Sequence, residues 1–114
     1  MHGAPDFGVV VSEDDGTSVV SVRGELDIFT APRLSDILAG LVAAGGDVVI
    51  GLGDTAFMES TGIAVLAQTH FALEERGGHL TIDSPRHNVF KVLELSGLTG
   101  IITITHPPSA PSPN

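Results

Sequence analysis

Residues 47–52, DVVIGL, form a short apolar run with a helical pattern on either side, and their reading decides the fold. Such a run, bounded by Gly-rich segments, reads as a buried strand, and its helical neighbours imply parallel packing. Upstream, Thr30 stands before Ala31-Pro32, and Leu34, Ile37, Leu38, Leu41 and Val42 follow at i, i+3, i+4, i+7 and i+8. That spacing predicts an amphipathic helix with a Thr cap and an early Pro, ended by Gly45-Gly46. Downstream, a second helix is predicted from Ser60, with Ile63, Leu66, Ala67 and Phe71 on one stripe and a stop at Gly77-Gly78.

The flanks complete the order. Residues 7–12 (FGVVVS) and 17–23 (TSVVSVR) are β-branched runs separated by Glu13-Asp14-Asp15-Gly16, where Asp-Gly signals a hairpin turn. Residues 79–83 (HLTID) alternate and read as a strand. Ser84-Pro85 reads as a cap and first helical position for a short third helix, buried through Val89, Val92 and Leu93 and closed at Gly97. A last strand fits 101–105 (IITIT). The order ββαβαβαβ predicts an α/β domain on one mixed sheet of about five strands. Residues 1–6 are expected to be a flexible N-terminus and 7–106 the domain. The Pro/Ser-rich tail 107–114 (PPSAPSPN) is expected to be disordered.

Composition narrows the function. The 114 residues suffice for one ordinary domain, and 42% hydrophobic residues supply a core. Five Lys and Arg against 14 Asp and Glu give a formal charge of −9, which tells against nucleic acid and anionic membrane surfaces as partners. No Cys is present, so disulfides, thiolate nucleophiles and Cys-ligated metals are excluded. The N-terminus MHGAPDFG lacks the basic segment and apolar run of a signal peptide, and no apolar run approaches a membrane-spanning length, so a soluble cytoplasmic protein is expected.

Motifs for chemistry are weak. His2, His70, His79, His87 and His106 show no metal-ligand spacing and read as surface or structural histidines. Gly51-Leu52-Gly53-Asp54-Thr55-Ala56 formally matches a dinucleotide fingerprint, but the next helix opens only at Ser60, so the segment reads as a strand-to-loop transition. Met58-Glu59-Ser60-Thr61-Gly62 resembles a hydrolase elbow, with Asp83 and His87 in the matching chain order. Met58, however, occupies the position where the strained turn needs Gly. No enzymatic activity and no cofactor are expected.

Ser60 itself carries two readings. Its hydroxyl can cap the second helix by accepting a first-turn N–H, a bond worth about 1 kcal/mol. Alternatively it is a kinase-accessible hydroxyl at a helix N-terminus, where a phosphate of about −2 charge is favoured by backbone N–H groups and opposed by Glu59 and Asp54.

Three ordered segments, Gly24-Glu25-Leu26-Asp27, Phe57-Met58-Glu59-Ser60-Thr61-Gly62-Ile63 and Leu95-Ser96-Gly97-Leu98, resemble the STAS domain of bacterial anti-anti-sigma factors over residues 7 to 105. The resemblance implies a mixed sheet with helices mainly on one side. It implies a binding protein that, unphosphorylated, captures an anti-sigma factor with a histidine-kinase-like ATPase fold and so frees a sigma factor. Phosphorylation by that kinase ends the capture, and a PP2C-type phosphatase restores it. Carried onto this chain, Ser60 is the phosphoacceptor, with Thr61 as the alternative, and Glu59 replaces the usual Asp. Asp27, Glu59, Ser60, Thr61 and Gly62 are the expected kinase-binding residues, and Asp27 has the further reading of a loop carboxylate that caps its own turn. Asp27, Asp54 and Glu59 are expected to gather near Ser60. The alternative function is a STAS scaffold or ligand-sensing module, stressosome-like or transporter-associated, without phosphorylation control.

Overall fold

Asp15 and Gly16, both at positive φ (53° and 85°), close a two-residue turn between β1 (Gly8–Asp14) and β2 (Thr17–Leu26). This is the turn that Asp-Gly favours, because its twist matches that of the strands. The computed structural model describes residues 6–109. After the hairpin come α1 (Ala31–Ala44), β3 (Asp47–Met58), α2 (Ser60–Glu75), β4 (Leu80–Asp83), α3 (His87–Leu95), a 3-10 turn at Leu98–Gly100 and β5 (Thr103–Thr105). Of the flexible N-terminus 1–6 and disordered tail 107–114 expected from sequence, residues 1–5 and 110–114 lie outside the described residues, and 6 and 107–109 form no helix or strand.

The five strands lie in the order β1-β2-β3-β4-β5, antiparallel between β1 and β2 and parallel thereafter. Each parallel step crosses over through a helix. Right-handed crossovers that all advance the same way along a sheet put their helices on one face. The core lies between that face and the helices: Val20, Val22 and Leu26 of β2, Val48, Ile50, Leu52 and Met58 of β3, and Leu80 and Ile82 of β4 are buried. They pack with Leu34 and Leu38 of α1, Val65, Leu66 and Leu73 of α2, and Val89 and Leu93 of α3. Each fully buried leucine removes enough apolar surface from water to contribute about 2 kcal/mol. On the helix-free face Ser21, Arg23, Gly53 and Asp54 are exposed.

Five local expectations are corrected. The segment 51–56 does not leave the sheet; it stays inside β3, with a register irregularity beside Ser21–Arg23, and the buried Thr55 hydroxyl donates to the Val22 carbonyl at 2.8 Å. Phe71 is exposed, because α2 turns Gly62, Val65, Leu66, Thr69 and Leu73 inward instead. The third helix starts at His87 and not at Pro85, since Ser84 takes a positive φ of 55° that ends any helical path there. Thr30 precedes α1 but its hydroxyl caps nothing in the helix, and the last strand is shortened by the 3-10 turn.

Candidate functional site at the start of the second helix

β2 and β3 finish side by side, Glu25 against Phe57 and Leu26 against Met58. One residue further, the Glu59 N–H donates to the Leu26 carbonyl at 2.9 Å, so the chain that leaves β3 is tied to the end of β2. Glu59 is extended (φ −102°, ψ 179°), and its carbonyl accepts the Gly62 and Ile63 N–H groups at 3.0 and 3.2 Å. Glu59 is thus the N-cap residue of α2 and Ser60 its first helical residue. The cap expected from the Ser60 side chain does not form, because that geometry requires the hydroxyl one residue earlier, and no side chain caps the helix. Ser60 is exposed.

The next two residues divide the labour differently. The Thr61 hydroxyl oxygen is enclosed and has no hydrogen-bond partner among the described residues, which leaves it far less approachable than Ser60. Gly62 is buried: a Cβ there would meet Met58 Cγ at 2.9 Å and Leu26 Cβ at 3.2 Å. Only a residue without a side chain lets α2 begin this close to the ends of β2 and β3.

Asp27 directly follows Leu26 and organises the loop before α1. Its Oδ1 accepts the Phe29 and Thr30 N–H groups at 2.9 and 3.0 Å, its own N–H donates to Thr30 Oγ1 at 2.9 Å, and the Thr30 hydroxyl donates to the Glu25 carbonyl at 2.6 Å. The Thr30 backbone N–H, helped by those of Phe29 and the Thr30 hydroxyl, holds the Asp27 carboxyl below the ordinary carboxylate range despite some desolvation. The cap of this turn is therefore Asp27, while Thr30 serves as a bracket between Asp27 and Glu25.

That rigid loop turns two large apolar side chains outward. Ile28 is 63% exposed and Phe29 83%, and Phe57 at the end of β3 is also exposed. A cavity of about 380 Å³ opens between α1 and α2 beside them, lined by Ile28, Ala31, Pro32 and Thr61 among others. Sequence reasoning missed this apolar rim, although Ile28 and Phe29 lie off the buried stripe of α1 and could have signalled it. Exposed aromatic and aliphatic residues beside polar ones are the make-up of a protein-docking surface.

Asp54 does not join the group. It lies beside Arg23, upstream of Met58 on β3, in a groove of the helix-free face with Asp83 and Ser84. Nor do the residues of a hydrolase arrangement converge on Ser60. Asp83 pairs alongside Gly51 and is engaged by His106 Nδ1 and Thr105 Oγ1, both at 2.7 Å, and His87 is exposed at the start of α3. His79 pairs with Glu74 at 3.0 Å, and His2 lies outside the described residues.

Fold and site together define a single-sheet α/β module that presents a serine and an apolar rim at a helix start. A family model described as Mlab, STAS domain, matches residues 9–104, and the chain belongs to the STAS-domain family. It is 30% identical over 100 residues to the anti-sigma-B factor antagonist of Bacillus subtilis, covering 88% of this chain and 92% of that protein. Among solved structures it is similar to an anti-sigma factor antagonist from Mycobacterium paratuberculosis (TM-score 0.81, 31% identity, 88% of this chain and 86% of that one). It also shares its fold with the Bacillus cell fate determinant SpoIIAA in the phosphorylated form (TM-score 0.69, 21% identity, 87% and 90% covered). No helix among the described residues is long and apolar enough to cross a membrane.

Proposed function

We propose that this chain is an anti-sigma factor antagonist. In its unphosphorylated form it docks, through the face around Ser60, onto an anti-sigma factor that is also a serine kinase of the histidine-kinase-like ATPase fold, and a sigma factor is thereby released. Phosphorylation of Ser60 ends the capture, and a PP2C-type phosphatase reverses it.

The observation that carries this reading is the exposed Ser60 at the first position of α2, next to Glu59, whose N–H binds the residue before Asp27, with Ile28, Phe29 and Phe57 exposed on the adjoining segments. Exposure favours it over the enclosed Thr61 as acceptor. The names of the similar antagonists and the phosphorylated form of SpoIIAA support the same role. Physically, a dianion set among an apolar rim and two carboxylates must be desolvated or repelled when a partner closes over it, and Coulomb and desolvation costs at an interface reduce affinity steeply. Glu59 sets its carboxylate one methylene further out than Asp would, and Asp27, fixed by its turn, holds the second charge in place.

The test is incubation with the kinase partner and ATP, with the product mapped by mass spectrometry and binding followed in parallel. Phosphate on Ser60 with loss of the complex supports the reading. An unmodified Ser60 in a stable complex with a partner that is not a kinase points to the scaffold or sensor alternative.

A further inference from the structure

Among the described residues β1 ends the sheet and one of its edges is unpaired, with Val10 on it 62% exposed and Val11 also exposed. The turn fixes which backbone groups face outward. Asp14 and Thr17 flank a two-residue loop of positive φ, and such a loop closes on a hydrogen-bonded pair. The β1–β2 register runs without a shift, so the N–H and C=O groups of Gly8, Val10, Ser12 and Asp14 bond to β2, while those of Val9, Val11 and Glu13 point to the free edge.

A cation lies at that edge. Arg23 stands opposite Gly8, and a Cβ on Gly8 would meet Arg23 Nη2 at 2.5 Å and Cζ at 2.9 Å. The guanidinium therefore fills the place of the missing side chain, on the helix-free face, with its Nε donating to the Asp6 carbonyl at 3.3 Å. Among the described residues the ion pairs found join histidines to carboxylates, and Arg23 is in none of them.

We propose that this edge pairs antiparallel with the same edge of a second copy of the chain, joining two five-stranded sheets about a two-fold axis. Centred on Val11, the pairing sets Val11 against its counterpart, Val9 against Glu13 and Gly8 against Asp14. Opposed residues share a face of the sheet. Asp14 of the second copy then lies beside the Arg23 guanidinium, and the two-fold repeats the contact, as an isologous interface requires. Acidic residues on an edge ordinarily discourage pairing. Here the strand GVVVSED carries Glu13 and Asp14 at one end and borrows its cation, Arg23, at the other, so this antiparallel register gives each Asp14 a counter-charge. Ser60, at the carboxyl end of β3, is not on this edge, and each copy keeps its docking face.

Sedimentation analysis of the full chain over a wide concentration range tests the pairing, with circular dichroism confirming that each variant is folded. The mass should rise from 11.7 kDa toward twice that value. Asp14→Arg and Arg23→Asp should each weaken the dimer about tenfold by setting like charges together, and the two combined should restore it. Val11→Pro removes an outward N–H while sparing the ladder to β2, and should leave only single chains. A mass of one chain at every concentration overturns the proposal. So does a dimer indifferent to Val11→Pro, or a double charge variant as weak as the singles.

Discussion

The Glu59 N–H donates to the Leu26 carbonyl at 2.9 Å, and this bond joins the segment that contains Asp27 to the segment that contains Ser60. Around it, α2 approaches the two strand ends so closely that a Cβ added at Gly62 would meet Met58 Cγ and Leu26 Cβ at less than a normal carbon contact. Gly62→Ala should therefore destabilise the fold by about 1–2 kcal/mol, the overpacking cost outweighing the gain in helix propensity. Gly40, mid-way along α1 with nothing near its missing Cβ, is the control. Gly40→Ala should stabilise by about 0.5–1 kcal/mol. Urea denaturation of both variants checks the pair, and two shifts of the same sign would contradict it.

Asp27 holds its loop through an oxygen that an amide can replace. Asp27→Asn keeps an acceptor for the Phe29 and Thr30 N–H groups but loses the charge that those bonds favour, so it should lower the melting temperature less than Asp27→Ala, which removes the acceptor as well. Both should weaken capture of the anti-sigma partner, Asn by about tenfold through lost charge alone. Thermal melts beside binding titrations separate the two roles.

The apolar rim gives the reverse pattern. Phe29 and Ile28 are exposed in the free chain, so Phe29→Ala and Ile28→Ala should change stability by less than about 0.5 kcal/mol. Partner affinity should fall about tenfold or more for Phe29→Ala, as for an interface anchor. Retained affinity with unchanged stability would remove the rim from the docking face.

Much of this was legible because it is local. The Asp-Gly turn, the α1 stripe and the Gly97 stop each follow from neighbours in sequence, and the structure keeps them. What was not legible depends on contacts across the fold. Thr30 and Asp27 are both cap-type residues, and the position of the Glu25 carbonyl decides which of them caps. The Gly-rich stretch 51–56 reads as a loop until β2 supplies the Val22 carbonyl that Thr55 binds. Phe71 fits a helical stripe with Ile63, but the approach of Gly62 to Leu26 and Met58 rotates α2 so that Val65, Thr69 and Leu73 turn inward. Ser60 stands at the start of α2 as expected, but its hydroxyl does not cap that helix, since one residue of boundary separates a cap from a free hydroxyl.

Acid should loosen two anchors together. His106 first, then Thr105 and Ser84, hold the Asp83 carboxyl below its ordinary value of 3.8, and the Asp27 carboxyl is lowered by its turn. A carboxyl with a lowered folded-state pKa contributes its stability above the ordinary value and loses it as pH falls through the lowered one. Stability should therefore decline below about pH 4, and Asp83→Asn should flatten that decline while leaving β5 less firmly held at neutral pH. Denaturation at a series of pH values reads both effects, and an acid slope unchanged in Asp83→Asn would contradict the assignment.

The most direct measurement is the affinity of the chain for its anti-sigma partner before and after stoichiometric phosphorylation, with the phosphate mapped by mass spectrometry. Phosphate on Ser60 and an affinity reduced about a hundredfold or more, equivalent to about 2.7 kcal/mol, are the expected result. Phosphate on Ser60 with unchanged affinity, or affinity lost through phosphate at another residue while Ser60→Ala remains switchable, would contradict it.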